Sequence, residues 1–234
     1  MQIKKHIPNL LTLGNLFCGC LGIIEILQNK SIETACYLMV LALIFDFFDG
    51  FLARLLKVSS PIGKELDSLA DMVTFGALPA FIMQYLMLNY ANMEVNYSYI
   101  AFLIALFSAL RLANFNIDTR QADSFIGVPT PANAILVASI GFIVVVSPVS
   151  FLNNWVAQPA FLVLLTLLLS YLLVAELPLF AFKFKHFGWL GNQIRYGFIL
   201  LAVVLLLIFK VLAIPIIIFL YIFISILMFF LKKI

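Results

Sequence analysis

Apolar runs of about 20 residues, parted by short polar connections, fill most of this chain, and they leave few folds open. They lie near 9–28, 33–57, 66–88, 97–115, 131–149, 158–177, 196–210 and 212–231. A helix needs about 20 apolar residues to cross a hydrocarbon layer roughly 30 Å thick. In lipid every backbone N–H and C=O must be satisfied internally, so such runs read as helices; barrel strands would be shorter and alternating. Composition agrees: 65% of residues are hydrophobic and 11% charged, and mean hydropathy is +1.15. A soluble domain is about half apolar and about a quarter charged. The chain is therefore expected to be an all-α integral membrane protein, a polytopic bundle of about eight transmembrane helices. Residues 1–234 form one membrane domain, because no polar block is long enough to fold outside the bilayer. No basic stripe of the kind that binds nucleic acid is present.

The N-terminal MQIKKHIPNLLTLGNLFCGCLGII has two lysines before an apolar run, as a signal peptide does. It lacks a small-x-small cleavage site and carries Glu25, so it reads as a retained first helix. Cys18, Cys20 and Cys36 sit in apolar runs and read as small buried residues, not as a disulfide framework.

Basic residues orient membrane helices, with Lys and Arg retained on the cytoplasmic side. With the N-terminus in the cytoplasm, Lys4, Lys5, Arg54, Lys57, Lys64, Arg111, Arg120, Lys183, Lys185, Arg195, Lys232 and Lys233 fall on that side of the cell membrane. Lys30 and Lys210 fall on the other. Removing the last two spans together barely disturbs this asymmetry, so 196–231 is set apart as a C-terminal helical hairpin on a six-helix core. The stretch 177–196, with its aromatics and basic residues, is either an interfacial segment at the lipid headgroups or a loop with snorkelling lysines.

Within this apolar background, four aspartates stand in the helix pair 33–88: Asp46, Asp49, Asp67 and Asp71. A charge at the bilayer centre costs about 2.5–3.5 kcal/mol on insertion scales, so a cluster of them requires compensation. Asp46 and Asp49 share one helical face, as do Asp67 and Asp71. The short connection makes the two helices antiparallel, so both pairs converge at the cytoplasmic ends. Clustered carboxylates suit hard divalent cations, and four suffice for two Mg²⁺ or Mn²⁺ ions. His6 and His186 are remote in sequence and no cysteine joins the set, which disfavours zinc. Gly50 and Ala53 leave the helical surface bare for a bulky ligand, Arg54 adds a cation, and Gly63 permits a tight turn. The plainer reading, in which the aspartates cap helices or pair with Arg54, Lys57 and Lys64, accounts for one carboxylate better than for four.

Asp46-x-x-Asp49-Gly50-x-x-Ala53-Arg54, followed after eight residues by Gly63-x-x-x-Asp67-x-x-x-Asp71, resembles the complete signature of the CDP-alcohol phosphotransferase family. The resemblance implies a membrane enzyme that moves a phosphatidyl or related group from a CDP-linked donor to an alcohol, releasing CMP. It implies that Asp46, Asp49, Asp67 and Asp71 bind metal and that Asp71 takes the proton of the acceptor hydroxyl. It places Gly50, Ala53, Gly63 and Ser68 around the cytidine nucleotide, with Asn9 and Thr12 near the donor phosphates, and implies a homodimer. Gly14, Gly19 and Gly22 on the first helix would serve either such a dimer or packing within one subunit.

Further segments resemble bacterial and archaeal phosphatidylserine synthases of that family. They are IPNLLTLGNLFCG at 7–19, DMVTFGALPA at 71–80, RLANFN at 111–116 (with Asn114 where RLARFN has arginine) and FIGVPTPANA at 125–134, against FxGLPxPAAA. The implied substrates are CDP-diacylglycerol and L-serine. Serine brings a carboxylate, and Arg111 and Arg120 are candidates to meet it; as positive-inside residues they would instead hold headgroups. A phosphatidylglycerophosphate, phosphatidylinositol-phosphate or choline-transferring synthase is the alternative within the family, and an archaeal-lipid donor with serine is a further one. A cation transporter is the alternative outside it, although transporter sites lie near the midplane, often in inverted repeats.

Overall fold

Helix α1 begins with a proline inside its first turns and spans Ile3–Ile24, continuing as a π-helical turn, Glu25–Asn29. It belongs to a computed structural model that describes residues 3–58, 60–118, 125–146, 150–179, 188 and 192–231. Helix α2 (Ile32–Leu55) starts at an N-cap, Ser31, whose side chain accepts from the Thr34 N–H. Helix α3 (Pro61–Asp71) has the same kind of start, with Ser60 as cap and Pro61 in the first turn, where its missing N–H costs nothing.

A π-helical segment, Met72–Ala77, joins α3 to α4 (Leu78–Asn89) in one run of 29 residues. Pro79 explains the irregularity. It has no N–H for the Phe75 carbonyl and its ring clashes with that carbonyl, so the regular ladder is interrupted there. At 1.5 Å per residue this run is ~43 Å long, longer than a hydrocarbon core of about 30 Å. A run of that length crosses with a tilt or projects at one end.

The rest of the chain comprises α5 (Val95–Ser98), a 3₁₀ turn at Tyr99–Phe102, α6 (Leu103–Ile117), α7 (Thr130–Val146), α8 (Ser150–Val156), α9 (Pro159–Val174), α10 (Gln193–Phe209) and α11 (Ala213–Phe230). Among the described residues, five helical runs are long and apolar enough to cross a membrane, and α7 and α9 are shorter apolar helices. The protein is an all-α integral membrane protein, as the apolar runs predict. The last of those runs is interrupted at Lys210, where φ 50° and ψ −127° reverse the chain into a 3₁₀ turn. Phe198 and Tyr221 lie at similar distances on either side of that turn, and their rings meet at 6.0 Å. α10 and α11 are therefore antiparallel.

Sequence patterning does not anticipate one feature, a two-residue antiparallel pair of β1 (Phe125–Ile126) with β2 (Pro178–Leu179). It ties the start of α7 to the end of α9. Gly127 follows β1 at φ +75°, and a Cβ there would lie 2.5 Å from the Leu173 carbonyl oxygen. Only glycine tolerates both the backbone conformation and that approach.

α4 is central. Leu78, Ile82, Met83, Leu86 and Met87 are fully buried, together with Phe75 of the π segment, Ile32 and Met39 of α2, Ile104 of α6 and Leu136 and Ile143 of α7. The glycines of α1 are used within the subunit. Gly14 faces Phe45, Gly22 faces Leu78, and a Cβ on Gly19 would lie 2.3 Å from Thr74 Oγ1 and 2.9 Å from its Cα. α1 can approach the π segment only because position 19 has no side chain. Lys30, at the turn between α1 and α2, shares one end of the bundle with Gln84 and Asn89, whereas the aspartates sit at the opposite end.

Candidate active site

The aspartates occupy the last turns of α2 and the length of α3, where the two helices run antiparallel beside the N-terminal half of α1. Ligand oxygens of Asp46, Asp49 and Asp67 all lie within 4.8 Å of one another. Asp71 is one helical turn further along α3, beside Asp46, and so behind the compact three. Asp49 and Asp71 are buried; Asp46 and Asp67 are half-buried.

Two side chains of α1 hold this arrangement. The Thr12 hydroxyl donates to Asp49 Oδ2 at 2.6 Å, with the Pro8 carbonyl oxygen 3.1 Å away as a second acceptor. The Asn15 amide donates to Asp71 Oδ1 at 3.1 Å. Asn15 in turn is braced from behind, since its backbone carbonyl oxygen accepts from the Thr74 hydroxyl at 3.1 Å. Asn9, Thr12 and Asn15 recur at three-residue intervals and so share one helical face. Asn15 was not among the residues singled out from the sequence. Its signal was present, however: a polar amide in an apolar run, in phase with Thr12.

Beside the carboxylates opens a cavity of about 210 Å³. Asn9 and Thr12 of α1, Asp49, Gly50 and Ala53 of α2, and Gly63, Lys64 and Asp67 of α3 line it, with Pro8, Val58 and Ser60. Gly50 faces open space, since nothing lies nearer than 4.0 Å to a Cβ placed there. Gly63 is tighter, and a Cβ would come within 3.0 Å of Ser60 Oγ and 3.1 Å of Asn9 Oδ1. Ser60 is a second residue missed from the sequence; Ser-Pro-x-Gly, a cap followed by proline at the first helical position, is its signature.

The other expected contacts are distributed as follows. Arg54 is outside the cavity wall, and its Nε donates to the Gly50 carbonyl at 3.0 Å. Ser68 accepts from the Asn116 amide at 2.9 Å, and Lys64 Nζ donates to the Asn116 carbonyl at 2.8 Å, so α3 is fastened to α6. Arg111 of α6 is 6% exposed, near enough to Asp71 to feel its charge. Its Nε donates to the Val128 carbonyl, its guanidinium lies 5.7 Å from the Phe115 ring centre, and its Nη2 is buried with no hydrogen-bond partner among the described residues. Arg120 lies outside the described residues, as do His186 and most of 177–196.

The donor set fits a hard divalent cation. Three carboxylates converge, with no thiolate or imidazole beside them among the described residues, and carboxylate oxygen is the ligand that Mg²⁺ and Mn²⁺ prefer. A buried acceptor, Asn15 Oδ1, also lacks a partner among the described residues beside Asp71. The cleft next to these carboxylates is lined by small residues and polar groups, as a phosphate-bearing ligand requires.

Comparison with known proteins agrees with this geometry. A CDP-diacylglycerol–serine O-phosphatidyltransferase of Bacillus subtilis is 37% identical over 187 residues, covering 78% of this chain and 92% of that protein. One of Helicobacter pylori is 42% identical over 132 residues, 56% of this chain; the match spans about half (54%) of that relative's length. An archaetidylserine synthase of Methanothermobacter thermautotrophicus is 34% identical over 137 residues, covering 57% of this chain and 56% of that protein. The family model for CDP-alcohol phosphatidyltransferase matches residues 5–182, which include every element around the aspartates, and the chain belongs to that family.

Proposed function

We propose that the protein transfers a phosphatidyl group from CDP-diacylglycerol to L-serine, yielding phosphatidylserine and CMP. The observation that carries this reading is the convergence of Asp46, Asp49 and Asp67 beside a cleft walled by Asn9, Thr12, Gly50, Ala53 and Gly63. The names of the relatives supply the acceptor.

The cleft would take the donor's nucleotide, with Gly50 and Ala53 allowing close approach and Asn9, Thr12 and Lys64 near its phosphates. Ser68 and Arg54 would support that wall indirectly, through Asn116 and the Gly50 carbonyl. Asp46, Asp49, Asp67 and Asp71 would hold two Mg²⁺ or Mn²⁺ ions, which supply charge neutralisation at the diphosphate. The serine hydroxyl oxygen forms a bond to the phosphatidyl phosphorus while the bond to CMP breaks, and Asp71 accepts the hydroxyl proton. The Asn15 amide on Oδ1 would orient that carboxylate. Arg111, buried beside Asp71, would meet the serine carboxylate; Arg120 is a second candidate. The ends of α2 and the start of α3 lie at the cytoplasmic membrane boundary in this reading, where acyl chains remain in lipid and serine arrives from water. The positive-inside rule supports that orientation. The protein would act as a homodimer.

Purified protein in detergent with CDP-diacylglycerol and Mg²⁺ or Mn²⁺ is expected to release CMP with serine, and not when Asp71→Asn is used. Parallel arms with glycerol 3-phosphate, inositol phosphate and choline decide the acceptor. Release with one of these instead would keep the family and overturn serine. Light scattering of the purified protein tests the dimer.

A further inference from the structure

Thr130 and Asn133 open α7, in the stretch 125–134 to which the proposed reaction gives no task. Both are buried, at 0% and 1% exposure, yet Thr130 Oγ1 and both amide atoms of Asn133 have no hydrogen-bond partner among the described residues. Buried polar atoms left unpaired cost free energy, and several on one helical turn require an explanation. We infer that the first turn of α7 seats the amino-acid end of the acceptor. Thr130 Oγ1, Asn133 Nδ2 and Arg111 Nη2 hold its carboxylate, Asn133 Oδ1 accepts from its ammonium, and its hydroxyl is left toward Asp71. The inference rests on the serine reading above and names residues that would make that acceptor preferred.

Helix register puts this turn beside the aspartates. Cys36 Sγ lies 3.4 Å from the Ala138 carbonyl oxygen, and a Cβ on Gly141 would lie against Ile32 and Ile82. α2 and α7 are thus antiparallel neighbours. Asp46 is ten residues beyond Cys36, and Val128 is ten before Ala138, so Asp46 is level with the entry to α7. Asp46 also continues the stripe Cys36, Met39 and Leu43 that α2 turns to α7. On α7, Thr130 is three turns from Gly141 and shares its face, with Asn133 one turn in from Thr130. Asp71 precedes Ile82 by as many residues as Thr130 precedes Gly141. Arg111 ties the same end together: its Nε donates to the carbonyl of Val128, two residues before Thr130, and it feels the charge of Asp71. Arg111 also borders a cavity of about 380 Å³ with Asn114 and Glu176, but none of the four clustered aspartates lines it. The reacting groups belong on the Asp71 side of the guanidinium.

The chemistry of the turn matches a zwitterion. Arg111 Nη2, likewise buried with no partner among the described residues, requires an anion or acceptor to offset its desolvation. The N-terminus of a 17-residue helix favours an anion as well. An amide carries a donor and an acceptor, so Asn133 answers both charges of an α-amino acid without adding a carboxylate beside Asp46 and Asp71. Glycerol phosphate and inositol phosphate have no ammonium for Asn133 Oδ1, and choline has neither a carboxylate nor an N–H. Each leaves part of the turn unpaired, which is how a buried polar site rejects a near neighbour.

The test uses the full chain in mixed micelles and reads KM for serine and for CDP-diacylglycerol from CMP release, with the thermal midpoint of each variant. Thr130→Val and Asn133→Leu nearly keep the volume and remove the polar atoms. Each is expected to raise serine KM roughly 10- to 100-fold, as loss of a hydrogen bond to a charged group does, with the donor KM within about twofold. Thr130→Ser should restore serine KM. Asn133→Leu should keep or raise the midpoint, because an amide unpaired in the folded protein adds nothing to its stability. A lowered midpoint or loss of fold in Asn133→Leu overturns the role of Asn133, and Thr130→Val with its serine rescue then decides the seat. An unchanged serine KM in Thr130→Val, or an equal rise in KM for both substrates, overturns the inference while the wild-type serine activity stands. Absence of serine-dependent CMP release by the wild type overturns the proposed function itself.

Discussion

The corner made by α1, α2 and α3 and the hairpin made by α10 and α11 are both apolar helices, yet they use their residues in opposite ways. In the corner, polar side chains are buried and specified. Thr12 holds Asp49, Asn15 holds Asp71, Thr74 holds Asn15, and Gly19 has room for no side chain. In α10 of the hairpin most apolar residues face outward: Leu200, Leu207 and Ile208 are exposed, and Phe198 is the buried position, while α11 buries Ala213, Ile222 and Ser225. A Cβ on Gly197 would meet nothing within 4 Å. The family match ends at residue 182, before the hairpin begins. Lipid accepts any apolar surface of adequate length, whereas charges in an apolar bundle require definite partners. The corner should therefore be intolerant of substitution and the hairpin permissive.

The largest effect that would sharpen this contrast is at the carboxylates. Asp49→Asn and Asp71→Asn are expected to lower CMP release by about 10²–10⁴-fold, the span of a general acid–base contribution, with the protein still monodisperse on size exclusion. Next is Gly19→Leu. Overpacking against Thr74 should cost about 1–3 kcal/mol, read as a lowered thermal midpoint in detergent, and activity should fall because Asn15 moves with it.

Thr12→Val keeps the shape and removes one hydrogen bond to a charged group. About 1.5–3 kcal/mol of support for Asp49 is lost, and kcat should fall roughly 10- to 100-fold; full activity would show that Asp49 needs no support from α1. Asn15→Ala should lower kcat, because the Asn15 amide orients Asp71. At the small end, Gly197→Ala and Leu207→Ala should shift stability by no more than about 0.5 kcal/mol and leave turnover unchanged. A large loss at either hairpin position would break the comparison and assign α10 a partner.

Much of the corner was readable from the chain. The spacing of Asp46 and Asp49, and of Asp67 and Asp71, gives each pair one face, and the short connection at 56–60 brings the faces together. The cavity is walled by Asn9, Thr12, Gly50, Ala53 and Gly63, all of which the signature and its flanks point to. Other details were not readable. Asn15 touches Asp71 across 56 positions and Thr74 touches Asn15 across 59, distances over which periodicity carries no information. Arg54 looked like a site cation by adjacency, but its side chain turns back to the Gly50 carbonyl.

The sequence by itself determined the solvent and the elements: helices that cross a membrane, and carboxylates too costly there to stand alone. Those follow from local periodicity and from the free energy of moving each residue out of water, neither of which depends on the fold. Tertiary structure alone decided which polar group answers which. It decided that Pro79 loosens the helix into a π segment against Gly19, and that Gly127 brings Arg111 and Glu176 to one cavity. Those outcomes depend on how closely remote backbones approach, and that is set when the helices pack together.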